Sequence, residues 1–250
     1  MRYFADIAFR GAAYHGWQIQ PGDITVQGTL EQALGTLCRR PVSVTGAGRT
    51  DAGVNAMQMP AHFDLDIEPD ERFVRGLNSI CGPDIAIRSI FRVPDSLHAR
   101  FDAVERVYRY FVHTAKDPFA RELSWKAPET LDFEAMNRAA ELILGKRDFT
   151  SFAKLHSDAK TNICDLRRAV WVRSGEGKWY FEIAADRFLR NMVRAVVGTL
   201  VEVGRGKMPP EHILDILNQK DRCAAGTSMP AGALFLWQVK YDIPLPLVQP

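Results

Sequence analysis

Cysteine is scarce in this chain of 250 residues, with four in all, Cys38, Cys81, Cys164 and Cys223, far apart and never as Cys-x-x-Cys. That spacing excludes a disulfide framework and a thiolate metal site, and it fits a reducing cytoplasm. The six histidines form no HExxH or other paired-ligand spacing, so a built-in zinc site has no support. No window approaches the length of a membrane span. The opening MRYFADIAFRG lacks the basic start and long apolar run of a signal peptide. A Walker lysine and a G-x-S-x-G elbow are also missing, which argues against ATP use and against serine acyl chemistry. Charge of one sign is lacking too, because the formal net charge is only +2. Lysine is the rarer cation, 9 against 23 arginines. Arginine's planar fork suits phosphate and base edges better than lysine's point charge; a GC-rich genome would give the same bias, and composition does not separate the two.

What is present is ordinary globular material, 46% hydrophobic and 25% charged, enough for one large domain or two modest ones. Two halves share a grammar. Residues 2–10 alternate like a strand, and after a Gly/Pro-containing loop residues 26–38 place Leu30, Ala33, Leu34, Leu37 and Cys38 on one helical face, with Thr25 as N-cap. The second half repeats the order: residues 106–114 alternate, then residues 131–144 set Phe133, Met136, Ala140, Ile143 and Leu144 on one stripe, with Gly145 as the stop. Residues 70–80 read as a helix and 85–93 as a strand. Residues 166–172 and 178–184 flank a turn-rich Ser174–Gly177 and read as a hairpin. Residues 188–203 have the strongest helical period, apolar at Leu189, Met192, Val193, Val196, Val197 and Leu200, with Arg187, Arg190, Asn191 and Arg194 on the other side. A shorter helix follows Pro209 and Pro210 through Gln219. The expectation is an α+β protein of two similar halves, each a mostly antiparallel β-sheet flanked by helices: an N-terminal domain, 1–104, and a C-terminal domain, 105–250.

The chemistry concentrates in GAGRTDAGVNA, Gly46 to Ala56, where small residues strip away every reactive side chain except Arg49, Thr50 and Asp51. The stretch is not a dinucleotide loop, because Asp51 stands where the third glycine of G-x-G-x-x-G would be and a carboxylate repels the pyrophosphate such loops cradle. What survives is an acid with an arginine two residues before it. Small neighbours let a bulky substrate approach Asp51, and a nearby guanidinium would keep the carboxylate ionised and fix its rotamer, as a nucleophile requires. A plain glycine-rich turn with a solvated Arg and Asp is the competing reading of the same residues.

At these residues the sequence resembles the tRNA pseudouridine synthase A family. That family's GRTDAGVHA is reproduced by Gly48 to Ala56 with one change, and YHGWQIQ, TVQGTLEQAL, LHARF, RVYRYFV, LGKRDFTSF, FLRNMVRAVVGTLVEVG and AGALFLWQV follow in the same order around it. The resemblance implies an isomerase that converts uridine to pseudouridine in the anticodon stem-loop of tRNA, at positions 38, 39 and 40, without a cofactor. It implies that Asp51 is the nucleophile or base, that Tyr108 packs on the target base, and that Arg194 pairs with the catalytic carboxylate. It also implies a cytoplasmic homodimer that binds tRNA, with the active site in the cleft between the two halves. Arg49 becomes a candidate for a phosphate of the flipped nucleotide. A uridine inside a stack cannot offer its glycosidic bond, so the nucleotide must be extruded. Arg190, Arg187, Arg100, Lys154 and Lys160 are the candidate phosphate contacts, with residues 151–160 as a basic loop.

Two positions depart from the family pattern: Asn55 stands for the usual histidine of GVHA, and Arg190 and Asn191 stand for a histidine pair before MVR. Two rival functions fit the same residues, a non-catalytic tRNA-binding protein of this fold and a glycoside hydrolase in which Asp64 or Asp66 supplies the second carboxylate.

Overall fold

The computed structural model describes residues 1–154 and 161–250. In chain order the first elements are β1 (Arg2–Phe9), α1 (Val26–Cys38), β2 (Thr45–Gly46), β3 (Asn55–Asp64), α2 (Glu71–Cys81) and β4 (Ile85–Arg92). There follow β5 (Ala103–His113), β6 (Trp125–Lys126), α3 (Phe133–Leu142), β7 (Gly145–Asp148), β8 (Ile163–Gly175) and β9 (Lys178–Ala185). The chain ends with α4 (Met192–Gly204), α5 (His212–Gln219) and β10 (Leu234–Tyr241). No helix among the described residues is long and apolar enough to cross a membrane.

The fold is α+β with mostly antiparallel pairing, and it divides into two compact units: Met1–Val104 with Phe235–Pro250, and Glu105–Leu234. In the first unit β1 lies between β4 and β3, antiparallel to both, and β10 adds to β3 in parallel at Phe235 opposite Asn55. Residues 235–250 therefore belong with the first unit, not with the domain 105–250 expected from the sequence. The physical reason lies in two buried polar side chains that need partners. Gln58 is fully buried, accepts the Val239 N–H at 2.9 Å and donates to the Val248 carbonyl at 2.8 Å. Asp6, equally buried, accepts the Val248 N–H at 2.8 Å and pairs with Arg88 at 2.9 Å. An unmade hydrogen bond on either would cost about 1–3 kcal/mol, so the C-terminal tail is tied to β1 and β3.

Local signals set the first unit's helices. Thr25 caps α1 by accepting the Gly28 N–H, and Asp70 caps α2 by accepting the Phe73 N–H. The second unit is the antiparallel sheet β5-β9-β8-β7, with β6 parallel to β5. Asp132 caps α3, so this helix starts at Phe133, two residues later than its apolar stripe suggests. Phe133 then lays its ring on Trp179 at 4.0 Å, close to parallel. Gly145, at φ 92, ends the turn after α3 in a conformation open to glycine.

A histidine lies in the apolar core of the first unit. His62 is buried, stacks on Phe4, and accepts the Ala99 N–H on Nδ1 at 3.1 Å. Burial, helped by the nearby Arg2, lowers its pKa to about 4. The folded state thus favours neutral imidazole, while the unfolded chain takes up the proton near the ordinary value. Stability should therefore be full above about pH 6.5 and fall as pH drops towards 4, by up to about 3 kcal/mol from this group. Denaturant titrations across that range, with an NMR titration of the His62 ring, check the expectation; a ring that protonates near pH 6.5 in the folded protein contradicts it.

Candidate active site

In the first unit, Asp51 sits on the loop between β2 and β3, and a second segment, Tyr14 to Trp17, lies against that loop at near-minimal separation. Gly16 has φ 89, and a Cβ there would stand 2.5 Å from the Thr50 carbonyl oxygen. The Trp17 N–H donates to that carbonyl at 3.2 Å, and the Gly53 N–H donates to the Tyr14 carbonyl at 3.3 Å. The Trp17 indole, almost wholly buried, fills the space a Cβ on Gly46 would need, 2.5 Å from its ring atoms. A turn closes the loop from within, the Val54 N–H donating to the Asp51 carbonyl at 3.1 Å. The loop's glycines have separable reasons. Gly46 yields to Trp17 and Gly53 supplies φ 78, but Gly48 has ordinary φ and nothing within 4 Å of its missing Cβ. Packing within the first unit does not demand a small residue there.

At this loop Arg49 is exposed and Asp51 is half-buried. Asn55 is 2% exposed and accepts the Gly11 N–H on Oδ1 at 2.8 Å. Its work is internal, holding the Gly11 turn against Val54. The rival second acids are remote: Asp64 ends β3, roughly 30 Å along the strand from Asn55, and is held by Arg2 at 3.1 Å, while the exposed Asp66 pairs with Arg40 at 2.9 Å. Neither meets the short carboxylate separation glycoside hydrolysis requires. Arg100 is exposed, and its neighbour Ala99 is bound to His62, so it lies well along β3 from the Asp51 end.

The second unit positions the other candidates. Tyr108 lies on β5 opposite Ile183, 9% exposed, with its ring edge-on to Phe188 at 5.1 Å. Tyr110, two residues on and on the same face, is fully buried with a hydroxyl that has no partner among the described residues. Burial raises its phenol pKa well above the ordinary range, and the charge of Arg194 opposes that rise. Arg194 therefore stands near the face of β5 that bears Tyr108.

The helix carrying Arg194 differs from the expected amphipathic one. It begins at Met192, because Asn191 adopts a left-handed conformation at φ 65. Arg187, Arg190 and Asn191 thus precede α4 and do not share a helical face with Arg194. Within α4 every residue is buried except Arg194 and Glu202, both half-buried. The Arg194 Nε–H donates to the Met229 carbonyl at 2.5 Å, and the Met229 N–H donates back to the Arg194 carbonyl at 3.1 Å. An arginine leaving an otherwise apolar helix by so fixed a route is no solvated helix face. Arg190 and Lys154 are exposed and joined through backbone, the Lys154 N–H donating to the Arg190 carbonyl at 2.9 Å. Lys160 lies outside the described residues, as does the rest of the basic loop from 155 on.

No cysteine rivals the aspartate. Burial pushes the Cys81 thiol up to about 11 and the Cys164 thiol up to about 12, away from thiolate chemistry. Residues 14–17 and the segment preceding β10 show no periodicity; the signal for both is glycine beside an aromatic or hydroxyl residue.

Residues 139–242 match a family model described as tRNA pseudouridine synthase, a stretch that includes Arg194 but neither Asp51 nor Tyr108. Full-length relatives cover all three. A tRNA pseudouridine synthase A of Parabacteroides distasonis is 52% identical over 243 residues, 96% of each chain. The protein of the same name from Bacteroides fragilis is 50% identical over 242 residues, again 96% of each. That from Bacillus subtilis is 38% identical over 247 residues, 97% of this chain and all of its own.

The close contact of Tyr14–Trp17 with the acid's loop gives a direct expectation. Gly16→Ala puts a methyl against the Thr50 carbonyl at a positive φ, and should destabilise the first unit by about 1–2 kcal/mol or more. Urea unfolding measures it; a loss under about 0.3 kcal/mol would mean the two segments do not touch.

Proposed function

The chain belongs to the tRNA pseudouridine synthase A family, and from that premise we propose that it converts uridine to pseudouridine in the anticodon stem-loop of tRNA, at positions 38 to 40, using Asp51, Tyr108 and Arg194. The observation that carries this reading is the Asp51 loop itself, braced from behind by Tyr14–Trp17 and left open at Gly48. In the reaction the bond from C1′ of the ribose to N1 of uracil breaks, a bond from C1′ to C5 forms, the C5 proton leaves and N1 ends protonated. Nothing is added or removed, so no cofactor is called for. Asp51 either attacks C1′ or removes a ribose proton; both keep the freed uracil beside the sugar until it is rejoined. Tyr108, 9% exposed, is the residue proposed to stack on the base and to move a proton. Arg194, held through Nε by the Met229 carbonyl, supplies a positive charge to the reaction.

Because the target base must leave its stack, the surrounding surface has to hold the backbone while the nucleotide is out. Arg49, exposed on the same loop as Asp51, and Arg190 with Lys154 are the proposed phosphate contacts, joined by Arg187. Arg100, further along the first unit, would touch a more distant part of the tRNA. Binding through these groups should weaken as salt rises. A homodimer would let one tRNA meet both copies.

Replacing Asp51 by Asn preserves shape and removes the charge. Asp51→Asn should lower pseudouridine formation by at least about a thousandfold, with tRNA affinity within about threefold of the parent, since phosphate contacts are unchanged. A carbodiimide-based pseudouridine assay beside a binding titration reads both. Retained turnover refutes the role of Asp51; tight binding by a parent that never forms pseudouridine favours a non-catalytic tRNA-binding protein.

A further inference from the structure

The segment before β10, residues 222–229, lies flat on the first two turns of α4. Glycine at two positions permits this: a Cβ on Gly198 would stand 1.8 Å from the Thr227 carbonyl oxygen, and one on Gly226 would stand 2.8 Å from Gly198 backbone. Three sets of bonds tie the strap to α4 and its N-cap, and Arg222 braces it from within. The Gly226 N–H donates to Thr199 Oγ1 at 2.8 Å. Arg222 donates to Ser228 Oγ at 2.9 Å and to the Ala225 carbonyl at 3.2 Å. Asn191 Nδ2 donates to the same Ser228 Oγ at 2.6 Å. Met229 and Arg194 exchange the two bonds already described.

Asn191 is unusual within this arrangement. It occupies the N-cap of α4, where an asparagine normally turns its oxygen onto the helix's own N–H groups, yet its side chain makes no capping bond and reaches across to the strap. Its left-handed backbone costs about 1 kcal/mol, and the returned bond to Ser228 is the visible compensation. Ser228 adjoins Met229, so fixing the Ser228 hydroxyl fixes the carbonyl that receives Arg194 Nε. A guanidinium is planar, and holding its Nε–H sets the plane in which the two terminal nitrogens lie.

From this geometry we infer that Asn191, Ser228 and Arg222 are positioning residues: they aim the Arg194 guanidinium by pinning the Met229 carbonyl. The inference rests on the reading of Arg194 as part of the active site. It also gives Asn191, a departure from the family pattern, a definite role in this chain.

The test uses the full-length protein. Asn191→Gly keeps the left-handed backbone accessible and removes only the donor, and Ser228→Ala removes the acceptor. Each should lower kcat by about tenfold, as a small misplacement of a reacting group does, while KM, tRNA affinity and Tm stay near parental. In an Arg194→Lys background, which has no Nε–H, Asn191→Gly should add nothing. Independently of turnover, hydrogen exchange at Arg194 Nε–H, followed by NMR, should accelerate about tenfold or more in both single variants. Unchanged Nε–H exchange, or kcat losses that multiply undiminished in the Arg194→Lys background, overturns the proposal. If the parent forms no pseudouridine, the proposed function falls while the exchange measurement still decides this inference.

Discussion

Two strips of backbone meet at a distance that only glycine allows, Gly16 against the Thr50 carbonyl, with Trp17 filling the notch left by Gly46. The remaining arrangement around Asp51 depends on that contact. A loop of small residues has little side-chain packing of its own and would otherwise sample many conformations. The neighbouring segment supplies hydrogen bonds and an indole, which fix the backbone of the loop, and a Cβ on Gly48 would meet nothing within 4 Å. Under the proposed role of Asp51, a fixed position is a large part of what the loop contributes.

The second unit solves a related problem with a different device. Arg194 emerges from a helix that is apolar on nearly all sides, and a strap beside that helix takes its Nε–H. Burial on all sides fixes where the helix can sit, and the strap fixes which way the guanidinium faces. Both units thus use glycine for close approach, Gly16 and Gly46 in one, Gly198 and Gly226 in the other. The buried partnerships of Gln58 and Asp6 bring residues 235–250 to the first unit, the one that carries Asp51.

Much of this was legible in the residues alone. The span and cap of α1, the hairpin of β8 and β9, and the α+β class follow from period and capping chemistry, because these elements bury one face and expose the other. β3 was not legible: NAMQMPAHFD is buried on both faces and holds Pro60, so neither alternation nor the usual absence of proline marks it as a strand. The start of α4 was misplaced because apolar spacing continues through Leu189 although Asn191 turns left-handed, a backbone choice that periodicity does not encode. The return of residues 235–250 depends on partners for Asp6 and Gln58, which are long-range in sequence. At the site, GRTDAG announced an acid with small neighbours, but which glycine serves packing and which serves access required the position of Trp17.

The measurement that bears most directly on the central claim is a crystal structure of the protein with an anticodon stem-loop carrying 5-fluorouridine at the target position. The account predicts an everted nucleotide with the Asp51 carboxylate within about 3–3.5 Å of its ribose or base, on a loop still braced by Tyr14–Trp17. A carboxylate turned away from an everted nucleotide and beyond contact with it, the loop otherwise unchanged, would contradict it.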